Sequence, residues 1–113
     1  MIDTSFLYST FNHPLYIIEE DRLRHNLQVI RSVAQEADID IILAFKAFAL
    51  WKTFPIFREY INASTASSIN EVLLSSEAFD STHTYSPAYT DYDIETIAQK
   101  SSHLTFNSLT QYK

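Results

Sequence analysis

Apolar and polar residues alternate along the chain with the periods of helices and strands in turn. From about Glu20, apolar residues recur three and four positions apart, which predicts an amphipathic helix. Its apolar stripe would consist of Leu23, Leu27, Ile30, Val33 and Ala34. Residues Ile41 to Phe45 are continuously apolar, which is typical of a parallel strand buried on both faces. A second helix is expected after Thr53, because Pro55 suits a first helical turn.

The same order of strand and helix continues to the end of the sequence. Short segments with strand character are Pro14–Ile18, Asn62–Ala66, Thr82–Ser86 and His103–Phe106. Helices should begin at a capping box from Ser68 to Glu71, after Thr90, and at Asn107 or Ser108. From residue 43 onward the strand centres repeat about every twenty residues, which indicates βα units and a parallel sheet.

In such a sheet, right-handed crossovers bring the carboxyl ends of the strands to one edge, where ligands bind. Four polar residues follow the predicted strands there: Lys46, Ser67, Ser86 and Asn107. A (β/α)₈ barrel takes about 250 residues, and four strands do not close one. We therefore favour the first half of a larger barrel over a small open sheet.

Lys46 lies in the most apolar run of the chain, Ile41 to Trp51. Burial favours a neutral amine, and a neutral lysine amine is a nucleophile toward carbonyls. From this run alone, a simpler interpretation is preferred, in which the stem of Lys46 packs at a strand end while its ammonium reaches water. The position of Lys46 at the ligand-binding edge favours the alternative interpretation, in which Lys46 is a reactive lysine.

Composition excludes several classes of protein. The 113 residues include 46% hydrophobic residues, no cysteine and no glycine, and carry a net charge of −6. Scattered basic residues argue against nucleic acid, and no apolar run reaches the roughly 18–20 residues of a membrane span. We expect no signal peptide at the N-terminus, no disulfides and a cytoplasmic location. Because glycine-rich turns commonly hold cofactor phosphates, such a loop is expected outside these residues.

Other polar residues have structural interpretations that compete with functional ones. The histidines His13, His25, His83 and His103 are isolated, so no metal site is expected. His83 and His103 should lie toward the amino ends of their strands, away from the ligand-binding edge. Ser67, Ser68 and Glu71 could be helix caps, and strand-end residues such as Ser86 and Asn107 could simply close turns.

A set of sequence blocks, in this order, resembles one enzyme family from about Pro14 to Tyr112. The blocks are Pro-Leu-Tyr-Ile-Ile-Glu-Glu-Asp, Leu-Ala-Phe-Lys-Ala-Phe-Ala, Thr-Phe-Pro-Ile-Phe-Arg-Glu-Tyr, Thr-Ala-Ser-Ser-Ile-Asn-Glu, His-Thr-Tyr-Ser-Pro-Ala-Tyr and Phe-Asn-Ser-Leu-Thr-Gln-Tyr. They resemble the N-terminal part of carboxynorspermidine (carboxyspermidine) decarboxylases. These are alanine-racemase-like, fold-type III enzymes that use pyridoxal 5′-phosphate, with ornithine and diaminopimelate decarboxylases as relatives.

The resemblance implies an α/β fold in which residues 1–113 are the N-terminal half, about four βα units, of a pyridoxal-phosphate-binding, TIM-like (β/α)₈ barrel. The rest of the barrel and a C-terminal β-domain would be absent. The family is homodimeric, with active sites at the subunit interface. Lys46 matches the lysine that holds the cofactor as a Schiff base, although Ala47 stands where glycine is expected. Ser86 and Asn107 match strand-end blocks and are expected to contact the cofactor.

The implied reaction is decarboxylation of the small-molecule polyamines carboxynorspermidine or carboxyspermidine to norspermidine or spermidine, in polyamine biosynthesis. The chain would then be an incomplete carboxy-lyase, inactive alone. An ornithine- or diaminopimelate-type decarboxylase, or a non-catalytic half-barrel that binds pyridoxal phosphate, is the alternative. The ornithine branch has an aspartate at the end of its second strand, where this chain has Thr65. That difference favours the carboxynorspermidine branch.

Overall fold

The computed structural model describes residues 4–112. The described strands are β1 (Leu43–Ala44), β2 (Ala63–Ala66), β3 (Ser81–Tyr85) and β4 (His103–Thr105), all parallel in one sheet of order β1-β2-β3-β4. The helices are α1 (Thr4–Thr10), α2 (Glu20–Ala37), α3 (Phe54–Phe57), α4 (Ile69–Ala78), α5 (Ile94–Lys100) and α6 (Leu109–Tyr112), with a 3₁₀ turn at Trp51–Thr53. The expected α/β fold with a parallel sheet is confirmed.

Alternate strand residues point to the two faces of the sheet, and the helices cover one face. On that face the core residues of β1, Leu43 and the following Phe45, pack against Leu27 of α2 and Phe57 of α3. Further along the sheet, Ala66, Val72 of α4 and Ile97 of α5 form a second buried cluster. Sequential parallel strands with their helices on one face are the arrangement found within a (β/α) barrel.

Three phenylalanines form the centre of the first cluster. Phe54 is 3% exposed and stacks on Phe45, with ring centroids 5.1 Å apart and an interplanar angle of 10°. Phe79 meets Phe54 edge-on at 5.2 Å and Phe45 at 5.9 Å. Since each ring touches the other two, this group joins β1, α3 and the end of α4.

Small hydroxyl residues line the contact between α4 and the sheet. Ser64 of β2, Ser75 of α4 and Thr82 of β3 are all buried. Their hydroxyl oxygens form a chain, with 2.5 Å from Ser64 to Ser75 and 2.5 Å from Ser75 to Thr82. Small side chains let the helix approach the strands closely, and the mutual hydrogen bonds offset the cost of burying polar atoms.

Removal of the Ser75 hydroxyl should destabilise the protein by about 1–3 kcal/mol, because Ser64 and Thr82 lose the hydrogen bond that each makes to it. The free energy of unfolding of Ser75→Ala, measured by urea denaturation, checks this. Ser76→Ala is the matched control, since Ser76 is exposed and bonds only to the Leu73 carbonyl of its own helix. Equal stability of the two variants would contradict the hydroxyl chain.

The predictions for β2, β3, β4 and the helices that follow them are confirmed. Their observed ends lie within four residues of the predicted ones. The segment Pro14–Ile18, predicted as a strand, is not one. A strand requires a neighbouring strand to complete its hydrogen bonds, and this segment does not join the described sheet. The side chains of Leu15 to Ile18 are all exposed, and that of Tyr16 is fully exposed. Helix α1 was not anticipated from the sequence.

The predicted strand Ile41–Phe45 is shorter than expected and is buried on one face only. Ile42 is 37% exposed and Ala44 is half-buried, because no described element covers the face of the sheet opposite the helices. The stripe of α2 is likewise buried only in part. Leu27 is fully buried, whereas Ile30 and Val33 are exposed, since the helix extends beyond the two-residue strand β1.

Helix α2 is fixed at both ends without glycine. Asp38 takes the left-handed conformation that ends the helix, with φ 53° and ψ 50°. Arg24 donates to Glu20 within the helix and to Glu59 beyond α3, at 2.8 and 2.6 Å. The hydrogen bond from Arg24 lowers the pKa of the Glu59 carboxyl.

Within residues 4–112, no helix combines the length and apolar character needed to cross a bilayer.

Candidate functional site

Lys46 lies in a turn at the carboxyl end of β1. The backbone N–H groups of Ala47 and Phe48 both donate to the Ala44 carbonyl at 3.0 Å, and this closes the turn. The Phe45 side chain anchors the turn in the core, while Lys46 is exposed. Burial of Lys46, one of the two possibilities considered from the sequence, is therefore wrong: the open face of the sheet leaves its side chain in solvent. Among residues 4–112, no hydrogen bond or ion pair engages its amine.

Ala47 fits this turn without strain. Asp38 is the one non-glycine residue with positive φ in the described part of the chain, so Ala47 lies in an ordinary backbone region. A glycine at this position would be required only for a left-handed conformation or for very close approach of another group. The turn that presents Lys46 thus forms equally well with alanine.

At the end of β2, the predicted capping box is confirmed. The Ser68 hydroxyl accepts from the Glu71 N–H at 3.3 Å, and the Glu71 carboxylate accepts from the Ser67 N–H at 2.6 Å. Glu71 therefore serves as a helix cap. The Ser67 side-chain oxygen is different, because it is buried and has no hydrogen-bond partner within residues 4–112. Burying a hydroxyl without a hydrogen-bond partner destabilises a protein. This hydroxyl follows β2, the strand that pairs with β1, and Lys46 follows β1.

The ends of β3 and β4 are linked by side-chain hydrogen bonds. The Tyr85 hydroxyl donates to the Asn107 side-chain oxygen at 3.4 Å. The Gln111 amide donates to the Pro87 carbonyl at 2.8 Å, and its oxygen accepts from the Asn107 N–H at 3.1 Å. The Ser86 hydroxyl donates to the carbonyl two residues further on at 2.8 Å, so it closes a turn as well as facing the edge.

The structure thus brings the segments that hold Ser86 and Asn107 together, on neighbouring strands. Lys46 is at the same edge, but on β1, two strands from β3 and three from β4. With neighbouring strands about 4.8 Å apart, the span from Lys46 to Ser86 is roughly 10 Å, and Ser67 lies between them. The edge therefore presents an amine on one side and uncharged hydrogen-bonding groups on the other.

His83 lies in the middle of β3 and not toward its amino end as expected. Its ring nitrogens contact the hydroxyls of Thr65 on β2 and Thr105 on β4, at 3.0 and 2.9 Å. This chain of contacts crosses three strands on the face opposite the helices. His103 begins β4 and is exposed. No cluster of three or more potential metal ligands occurs in the described part of the chain.

Tyr89 has a place in the site that the sequence did not indicate. Its hydroxyl accepts from the Ser86 N–H at 3.0 Å and donates to the Thr105 carbonyl at 2.7 Å. Desolvation by burial raises the pKa of Tyr89 above its usual value. The aromatic residue three positions after Ser86 is the feature of the sequence that could have indicated it, but its partner on β4 is visible only in the fold.

No protein-family model matches the chain. It is 39% identical over 106 residues to a carboxynorspermidine/carboxyspermidine decarboxylase of Campylobacter jejuni, covering 93% of this chain. It is 36% identical over 101 residues to a protein of that name from Herminiimonas arsenicoxydans, and 38% identical over 105 residues to a carboxyaminopropylagmatine decarboxylase of Synechocystis, covering 88% and 92% of this chain.

Among solved structures, carboxynorspermidine decarboxylase from Campylobacter jejuni, in complex with norspermidine, matches 90% of this chain. The TM-score is 0.85 at 39% sequence identity. These comparisons confirm the resemblance inferred from the sequence blocks, and they match the sheet to the N-terminal part of that enzyme. The chain spans about 28% of the length of the Campylobacter and Herminiimonas relatives and 27% of the Synechocystis relative.

Proposed function

We propose that this chain contributes the cofactor lysine of a pyridoxal-phosphate-dependent decarboxylase of carboxylated polyamines. Residues 1–113 would be the first four βα units of its barrel domain. The observation that carries the proposal is the exposed side chain of Lys46 at the carboxyl end of β1, whose amine has no ion-pair partner among residues 4–112. Supporting it are the similar decarboxylases, which match this chain over nearly its whole length.

The residues at the carboxyl edge of the sheet fit pyridoxal phosphate. Its aldehyde requires a primary amine, and Lys46 offers one without a competing carboxylate partner in the described residues. The partnerless Ser67 hydroxyl offers a hydrogen-bonding group between Lys46 and the far strands. Ser86 and Asn107 offer further polar groups on β3 and β4. When bound, the cofactor supplies an electron sink for the bond broken in loss of carbon dioxide.

Each residue has a defined task in this proposal. Lys46 would hold the cofactor through its primary amine, which is the nucleophile that an aldehyde requires. Ser86 and Asn107 orient the cofactor through hydrogen bonds, and the Tyr85 contact fixes the Asn107 side chain. Phe45 anchors the turn in the core, so that the position of Lys46 is set by packing even though its side chain is exposed.

The substrate class is a carboxylated polyamine, with carboxynorspermidine and carboxyspermidine as the first candidates. The relative that acts on carboxyaminopropylagmatine is as similar to this chain as the other two, so that compound belongs in the same class. Ornithine- and diaminopimelate-type decarboxylases are the alternative. Thr65 argues against the ornithine type, because its hydroxyl is engaged by His83 and it carries no charge. We further propose a cytoplasmic homodimer, on the resemblance alone.

Binding of two forms of vitamin B6 tests the cofactor assignment. Pyridoxal phosphate and pyridoxamine phosphate share the ring and the phosphate, but only the aldehyde of the first can bond to a lysine. We expect pyridoxal phosphate to bind at least roughly tenfold more tightly, with new visible absorbance, because a covalent bond adds to the shared contacts. Equilibrium dialysis of the 113-residue chain against both compounds measures the ratio.

Equal affinity for the two compounds would contradict the covalent role of a lysine and favour a non-catalytic binding protein.

The substrate class has a separate test in the release of carbon dioxide. We expect no turnover by this chain alone, since the acid that faces the pyridine nitrogen belongs to later strands in the family. In a complete enzyme that contains these residues, release from ornithine or diaminopimelate, and not from a carboxylated polyamine, would overturn the substrate assignment.

A further inference from the structure

The Tyr89 hydroxyl lies between the carboxyl ends of β3 and β4. It accepts a hydrogen bond from the Ser86 N–H and donates one to the carbonyl of Thr105, the last residue of β4. The Thr84 carbonyl is more distant, at 3.4 Å. A single hydroxyl therefore contacts the backbone of both strands at the edge where Ser86 and Asn107 lie.

The Tyr89 bridge lies at the end of the ladder between β3 and β4. Tyr85 pairs with Thr105 in the parallel ladder of β3 and β4. The Ser86 N–H and the Thr105 carbonyl therefore lie at the end of this ladder. Those two groups are the ones that Tyr89 bridges. The Tyr89 hydroxyl thus links the backbone of the two strand ends through one side chain.

The ring of Tyr89 is held in place by its neighbours. It meets Phe106 edge-on, with centroids 5.6 Å apart at 71°, and Phe106 in turn meets Tyr112 at 5.5 Å. Edge-to-face contacts of this kind fix ring orientation as well as contributing to stability. Because burial raises the pKa of Tyr89, its hydroxyl keeps its proton, and hence its donor role, throughout the neutral range.

We propose that Tyr89 is a positioning residue, whose hydroxyl bridges the ends of β3 and β4 and thereby sets the separation of Ser86 and Asn107 across the cofactor site. The role assigned to those two residues rests on the proposed function. The bridge itself rests on the hydrogen bonds and the strand register. The two parts can therefore be tested separately.

The Tyr89→Phe variant removes the hydroxyl and retains the ring packing. We expect the backbone amide resonances of Ser86 and Asn107 to shift in nitrogen–proton correlation spectra. We also expect affinity for pyridoxal phosphate to fall roughly 3- to 10-fold, the equivalent of one net hydrogen bond. Tyr92→Phe is the matched control, because the Tyr92 side chain is 90% exposed and its hydroxyl has no hydrogen-bond partner within residues 4–112.

The outcomes separate the bridge from the cofactor role. Unchanged resonances at Ser86 and Asn107 in Tyr89→Phe would overturn the bridge. Shifted resonances with unchanged affinity would overturn the positioning role, and so would an affinity loss that merely parallels a general loss of melting temperature. If the wild-type chain does not bind pyridoxal phosphate, the proposed function fails, and the spectra alone decide whether Tyr89 bridges the strand ends.

Discussion

Replacing Phe54 by alanine is expected to destabilise the protein by about 3–5 kcal/mol, as loss of a buried phenylalanine typically does. Phe54 is 3% exposed and contacts both Phe45 and Phe79 through its ring. Its removal leaves a cavity at the point where β1, α3 and the end of α4 meet. Because small domains are stable by only about 5–15 kcal/mol, the variant would lose a large share of the total.

Urea denaturation followed by circular dichroism measures this change. Phe6→Ala is the control, since Phe6 is 65% exposed on α1 and should cost less than about 0.5 kcal/mol. The turn that holds Lys46 begins at Phe45, which stacks on Phe54. Phe54→Ala should therefore also weaken cofactor binding under conditions where it remains folded. A loss of stability no larger than that of Phe6→Ala would show that this cluster is not the core.

The Lys46→Ala variant is expected to lose most of the visible absorbance of covalently bound pyridoxal phosphate, down to the weak level that other exposed lysines give. The amine is the only group on this side chain that can bond to an aldehyde, and alanine offers none. Little effect on stability should accompany the loss, because Lys46 is exposed and has no hydrogen bond or ion pair among the described residues. Absorbance titration of wild type and variant measures the first effect, and urea denaturation the second.

Exposed lysines react weakly with any aldehyde, so the control must be another exposed lysine. Lys52 suits this purpose, because it lies in the turn before α3 and its ammonium is 5.5 Å from the Trp51 ring centre. Lys52→Ala should titrate like the wild type. Loss of absorbance in both variants, or in neither, would show that binding is not specific to Lys46.

The sequence predicts those parts of the fold that depend on local pattern. The capping box at Ser68 and Glu71 forms as expected, because its hydrogen bonds lie within one helical turn. The predicted strand β2 consists of small residues, Ala-Ser-Thr-Ala. The structure explains their type, since Ser64 and Thr82 pair with Ser75 of α4 in a buried contact that no local pattern reveals.

The errors have one physical origin, which is dependence on a neighbour distant in sequence. Pro14–Ile18 has the composition of a strand but no described strand lies beside it. Lys46 was considered as a buried residue, yet a continuous apolar run does not say whether both faces of a sheet are covered. The contacts of Tyr89 were missed because its acceptor, the Thr105 carbonyl, comes from another strand. Position at the carboxyl edge was nevertheless predictable, because it follows from strand order alone.

Chemical trapping of the bound cofactor tests the central claim most directly. Borohydride reduces a lysine–aldehyde bond to a stable amine, and peptide mass mapping then identifies the residue that carries the pyridoxyl group. We predict that Lys46 carries it at a cofactor concentration equal to that of the protein, with little label on Lys52 or Lys100. Label distributed evenly over these lysines, or absent from Lys46, would contradict the assignment of Lys46 as the cofactor lysine.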